Sequence, residues 1–117
     1  MRQGIVKYKE IRAGMLTEDE NGEYWFVYDP DYVRKYPHQF ISFQMPVTAL
    51  PYRSKRLFPF FDGLIPEGWL LHIATETWRI NKNDRMGLLL ACCRNAIGAV
   101  SIHPVHKEEN ASLPVLL

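Results

Sequence analysis

Between residues 57 and 65 six bulky apolar side chains, Leu57, Phe58, Phe60, Phe61, Leu64 and Ile65, crowd around Pro59, Asp62 and Gly63. That much apolar surface must leave water on folding, yet proline and glycine at this spacing interrupt a long regular helix. The segment is therefore expected as a bent turn packed against a flat surface. Residues 1–56 supply the surface. Residues 5–9 alternate, residues 11–17 follow a charged corner, and Asn21-Gly22 is the strongest short turn signal in the chain, because this dipeptide accepts the positive φ angles of a tight hairpin. Residues 23–28, rich in Tyr, Trp, Phe and Val, suit a pleated surface. The expectation is a strand, strand, turn, strand meander.

Asp29-Pro30-Asp31 breaks the third strand and starts one helical turn over residues 32–36, with Pro30 at or near the first helical position. Residues 40–43 read as a fourth strand ended by Pro46, and residues 46–56, with two prolines and several basic residues, as a surface connection. Arg53, Lys55 and Arg56 in it fit a solvated rim better than a phosphate contact.

After the Phe-rich block, Pro66 and Glu67 have the chemistry of a helix opening, and a helix is expected over residues 66–80. Stepping 100° per residue puts Leu70, Leu71, Ile73, Ala74 and Trp78 in a broad apolar arc, with His72, Thr75, Glu76 and Arg79 opposite. Trp69 falls at the border of that arc. It reads either as an interface anchor, tryptophan offering much contact area at little conformational cost, or as the residue that closes the edge of the core. Residues 81–84 offer N-cap chemistry for a second, nearly all-apolar helix over residues 85–93; Asn95 and Gly98 provide exits, and residues 99–103 a last strand. The fold class is α+β: a small antiparallel sheet, using Val6, Tyr8, Leu16, Trp25, Val27, Phe43 and Val100, with two helices and the Phe-rich turn on one face. Residues 1–105 form the domain and residues 106–117 a tail.

A chain of 117 residues makes one domain. Fourteen Lys and Arg against 13 Asp and Glu leave a formal charge of +1, which provides no broad attraction for nucleic acid or anionic lipid. No stretch approaches the roughly 20 apolar residues of a membrane span, and the N-terminus lacks the apolar core of a signal peptide, so a soluble, cytoplasmic protein is expected. Cys92 and Cys93 are neighbours in an apolar run and read as two buried free thiols. Of the four histidines only His72 has a partner at helical i,i+4 spacing, Glu76, and a surface pair explains it without a metal. The serines lack a glycine-flanked elbow and the glycines form no phosphate loop. No catalytic residue, metal or cofactor is therefore expected; the chain reads as a binding or regulatory module, not an enzyme.

The run Leu57-Phe58-Pro59-Phe60-Phe61-Asp62-Gly63-Leu64-Ile65-Pro66-Glu67-Gly68, followed by Met86-Gly87-Leu88-Leu89-Leu90-Ala91 and Ile97-Gly98-Ala99-Val100, resembles the N-terminal subdomain of the HipA family of serine/threonine kinase toxins. The resemblance runs from Gly14-Met15-Leu16 and Tyr28-Asp29-Pro30 to Pro104. The chain departs from a full HipA by stopping where the kinase core would begin; the phosphate loop, catalytic aspartate and metal-binding residues have no counterparts. A free-standing version of the subdomain is similar to the HipS components of tripartite HipBST toxin-antitoxin systems, where HipS binds and neutralises the kinase HipT and HipB contributes DNA binding. The resemblance implies an antitoxin that inhibits a HipA-like (HipT) kinase, with a HipB-like helix-turn-helix protein as a third partner and no direct nucleic-acid contact. It further implies a partner-binding set of Ile65, Pro66, Glu67, Gly68, Trp69, Leu70 and His72, with Trp69 reaching toward the kinase active site. The alternative is a structural subunit that completes a split kinase without inhibiting it.

Overall fold

Alternation in the first third places one side chain in two on a common face, and that face becomes the floor of the core. In the computed structural model, which describes residues 1–94 and 99–105 and gives Trp69 and Trp78 by their backbone only, β1 (Arg2–Tyr8), β2 (Ile11–Glu18) and β3 (Tyr24–Tyr28) form the expected antiparallel meander. The charged corner is a tight turn with Lys9 and Glu10 both at positive φ. The second turn places Gly22 at φ +78°, a conformation that costs glycine nothing. Among the described residues β4 (Tyr52–Ser54) and β5 (Val100–Val105) complete a five-stranded sheet in the order β4-β3-β2-β1-β5.

Among the described residues the helical elements are α1 (Pro30–Lys35), α2 (Pro59–Asp62), α3 (Gly68–Trp78) and α4 (Arg85–Cys92). Pro30 occupies the start of α1, and Asp29 its N-cap position. Val6, Leu16, Phe26, Tyr28, Val100 and Ile102 point from the sheet into the core and meet Phe61, Met86, Leu88 and Leu89. The Phe-rich segment thus packs on the sheet as expected, its bend being the short helix α2, with Phe26 and Phe61 ring centroids 5.5 Å apart.

Three details differ from the sequence reading, and a fourth, the side of the sheet that Trp25 and Val27 take, refines it. Residues 40–43 form no strand of the sheet, only a Ser42–Met45 bridge, and Phe43 points to solvent. The neighbouring backbone is instead drawn to tyrosine hydroxyls: Tyr32 donates to the Gln39 carbonyl at 2.6 Å, Tyr28 donates to the Met45 carbonyl, and Tyr52 donates to that of Pro46 at 2.6 Å. The fourth strand comes from residues expected as a surface connection, because Arg53 lies opposite Trp25 and forms a two-bonded ion pair with Glu23 at 2.6 and 2.8 Å. Trp25 and Val27 belong to the sheet on its outer side, with Tyr24, Phe26 and Tyr28 facing inward. Finally, α3 begins at Gly68 rather than Pro66, which lies ahead of the Glu67 N-cap position. The exits at Asn95 and Gly98 and the tail of residues 106–117 lie outside the described residues.

Candidate functional site: the exposed face of α3

The block of residues 57–68 delivers α3 from a fixed platform. Leu57, Phe58, Phe61 and Ile65 are buried, Asp62 accepts from Arg85 Nε at 2.6 Å and so ties α2 to α4, and the Leu64 carbonyl accepts from Cys93 Sγ at 3.4 Å. The N-terminal end of α4 is fastened a second time. Arg2 donates two bonds of 2.8 Å to Asp84 and a third of 2.8 Å to Glu18, while Asp84 caps α4 by accepting from the Gly87 amide at 3.1 Å. A Cβ at Gly87 would run into the Asp84 carboxylate, so a side chain there is incompatible with this cap. The Arg2 guanidinium is the largest cause holding the Asp84 carboxyl below its ordinary value, against the opposing effect of burial.

From this platform the chain turns sharply. Glu67 is extended and Gly68 adopts φ +62° with open space where a Cβ would stand, so backbone conformation, not crowding, makes this a glycine position. α3 then packs chiefly on α4 rather than on the sheet. A helix packed chiefly on one other helix leaves part of a broad arc uncovered. Ala74 is buried and Leu71 packs against the core, but Leu70 and Ile73 remain 43% and 44% exposed. Their i,i+3 spacing makes them neighbours on one face. Beside them His72 Nε2 and Glu76 Oε1 stand 3.1 Å apart, both largely exposed, which is the expected surface pair.

The anticipated partner-binding residues therefore divide. Glu67, Gly68, Leu70 and His72 are exposed, Pro66 is half-buried, and Ile65 is a core residue that anchors the turn. Trp69 is the second residue of α3, one turn before Ile73; its side chain lies outside the described residues. Periodicity puts Ile73 in the broad apolar arc, and the structure leaves it 44% exposed. The signal lies in the width of that arc, five apolar positions on an 11-residue helix.

The site offers contact surface and little reactivity. Burial raises the Cys92 thiol and pushes that of Cys93 up to about 12, so neither is a ready nucleophile. Both are free; Cys93 is buried and Cys92 half-buried. Among the described residues no group of three or more His, Cys, Asp or Glu is placed to hold a metal ion, and no helix is long and apolar enough to cross a membrane.

The fold has known relatives. A solved structure of the N-terminal domain of HipA toxin superposes with a TM-score of 0.69 at 33% identity, covering 92% of this chain and 95% of that one. A protein of Haemophilus influenzae, described only as an uncharacterized protein, is 40% identical over 102 residues, which make up 87% of this chain and 92% of the relative. The family model of the HipA N-terminal domain matches residues 4–103, which take in the sheet, the α2 platform and the α3 face, and the chain accordingly belongs to the HipA N-terminal domain family.

Proposed function

We propose that this HipA-related toxin-antitoxin component is the antitoxin, binding a HipA-like kinase of the HipT type and inhibiting it. The observation that carries the reading is the half-exposed pair Leu70 and Ile73 on the first turns of a helix that leaves a rigid platform through a left-handed glycine. Apolar surface held in place but left uncovered favours a protein partner. In this reading the first turn of α3, with Trp69 as its anchor, enters between the kinase lobes and hinders ATP binding or lobe closure. Pro66, Glu67, Gly68, Leu70 and His72 form the surrounding contact, and Ile65 holds the turn from within. An inhibitor of this kind needs no chemistry of its own. The relative from Haemophilus influenzae supports a free-standing role, since the aligned stretch is 92% of its length and leaves no room for a kinase core. A HipB-like helix-turn-helix protein would supply DNA binding to the assembly.

The test is co-expression with a HipA-like kinase lacking this domain. Growth is expected to recover and phosphotransfer to fall, while Trp69→Ala keeps the fold and loses most of the neutralisation. Binding with undiminished phosphotransfer would refute inhibition and make the chain a structural subunit of a split kinase. Loss of the folded state in Trp69→Ala would assign that residue to the core.

A further inference from the structure

Residues 34–56 contain five Lys or Arg and no Asp or Glu, in a chain whose formal charge is only +1. The same stretch carries three exposed large apolar residues, Phe43 at 87%, Leu50 at 71% and Phe40 at 36%. Exposed apolar residues scattered singly are ordinary; three in one short segment whose charge is of one sign are not. The aromatic part of the segment is also held in place. Beyond the three tyrosine-to-carbonyl bonds already described, the Tyr28 hydroxyl accepts from the Ile41 amide at 3.1 Å, and Ile41 and Met45 are buried on either side of Phe43. Phe40 and Phe43, with ring centroids 5.0 Å apart, thus face solvent from a tethered loop whose ordering cost is met before any partner arrives.

Two of the five cations are already neutralised within the chain, Arg34 by Asp31 and Arg53 by Glu23. Lys35, Lys55 and Arg56 are exposed and have no carboxylate within ion-pair distance among the described residues. We propose that the segment of residues 34–56, which runs into the edge strand β4, docks an acidic amphipathic segment of a protein, whose apolar side chains cover Phe40, Phe43 and Leu50 and whose carboxylates meet Lys35, Lys55 and Arg56. A protein segment fits better than a polyanion. Three cations compensate few phosphates, the carboxylates of Asp31 and Glu23 lie among them, and the apolar part of the surface needs an apolar complement. The site shares no residue with the α3 face and does not depend on the kinase reading.

The probe is a fluorescein-labelled synthetic helix with Leu and Phe at i, i+3, i+4 and i+7 and Glu elsewhere, titrated into the full chain. A counterpart with Lys for every Glu, a single-stranded oligonucleotide and phosphatidylserine vesicles run alongside. The acidic helix is expected to bind, to shift amide resonances within residues 34–56, and to weaken about tenfold or more with Phe43→Ser and several-fold with Lys55→Glu. Thermal melts of both variants, and of Leu50→Ser as a second apolar change, should match the parent because these side chains are exposed. Equal binding of the Lys counterpart, shifts centred on α3, unchanged affinity in Phe43→Ser, or preference for the oligonucleotide or the vesicles would each overturn the proposal.

Discussion

Gly68→Ala isolates the turn that presents α3. A Cβ at this position meets nothing within 4 Å, yet φ is +62°, so the change tests backbone conformation without a clash. An L-residue in the left-handed region costs about 1–2 kcal/mol. Part of that is offset because alanine narrows the unfolded ensemble by roughly 0.4–1 kcal/mol. The net loss is therefore about 1 kcal/mol, which lowers the thermal midpoint by roughly 4–8 °C in a domain near this size. Gly22 is the matched control, with φ +78° and equally open space around a Cβ, but in the β2–β3 turn. Circular-dichroism melts of Gly68→Ala and Gly22→Ala should show similar destabilisation, with Gly68→Asn milder than Gly68→Ala because asparagine tolerates this conformation better. Kinase binding, measured by calorimetry below both midpoints, should weaken in Gly68→Ala and stay at the parental value in Gly22→Ala. A Gly68→Ala protein that melts like the parent would refute the backbone argument, and equal binding by the two variants would refute the role of the turn in presenting α3.

Three further outcomes follow from the same geometry. Covering the exposed parts of Leu70 and Ile73 is worth about 2 kcal/mol by area, so Leu70→Asp with Ile73→Asp should weaken kinase binding by at least about 30-fold while the melt stays near the parent, as pull-down and calorimetry would reveal. Phe61→Ala, at a site with 0% exposure, should cost about 3–5 kcal/mol, read as a fall in the urea midpoint; a loss under about 1 kcal/mol would contradict its central place in the core. The third concerns acid. Asp84 is held below its ordinary value of 3.8, chiefly by Arg2, so its contribution to stability is present above that value and is lost as pH falls through the lower folded-state value. Arg2→Met should lower the melting midpoint at neutral pH, and its gap to the parent should close as the carboxylate is protonated in acid, at a pH below 3.8; a gap that stays constant through that titration would show that the pair is not the source.

The first three strands, the Asn21-Gly22 turn, the Pro30 helix start and the Asp84 cap were legible because each rests on neighbours in the chain: alternation, turn chemistry and capping act over a few residues. The packing of the Phe-rich block on the sheet was legible too, since its apolar residues had to be covered and proline and glycine forbade a long helix. What escaped was set by partners distant in sequence. The segment around residues 40–46 has strand-like residues, but hydroxyls from Tyr28, Tyr32 and Tyr52 claim its carbonyls, and β4 joins the sheet through a cation on residue 53 and a carboxylate on residue 23.

The same division applies to the site. Local order of residues determined that a proline- and glycine-punctuated aromatic block leads into an amphipathic helix, and the motif it spells placed the chain in its family. Which apolar residues of that helix stay outside was decided only by tertiary structure. Periodicity defines an arc about the helix axis, whereas burial depends on how many elements press against it, and among the described elements α3 packs chiefly on α4. The uncovered remainder, Leu70 and Ile73, becomes the surface on which the functional proposal stands.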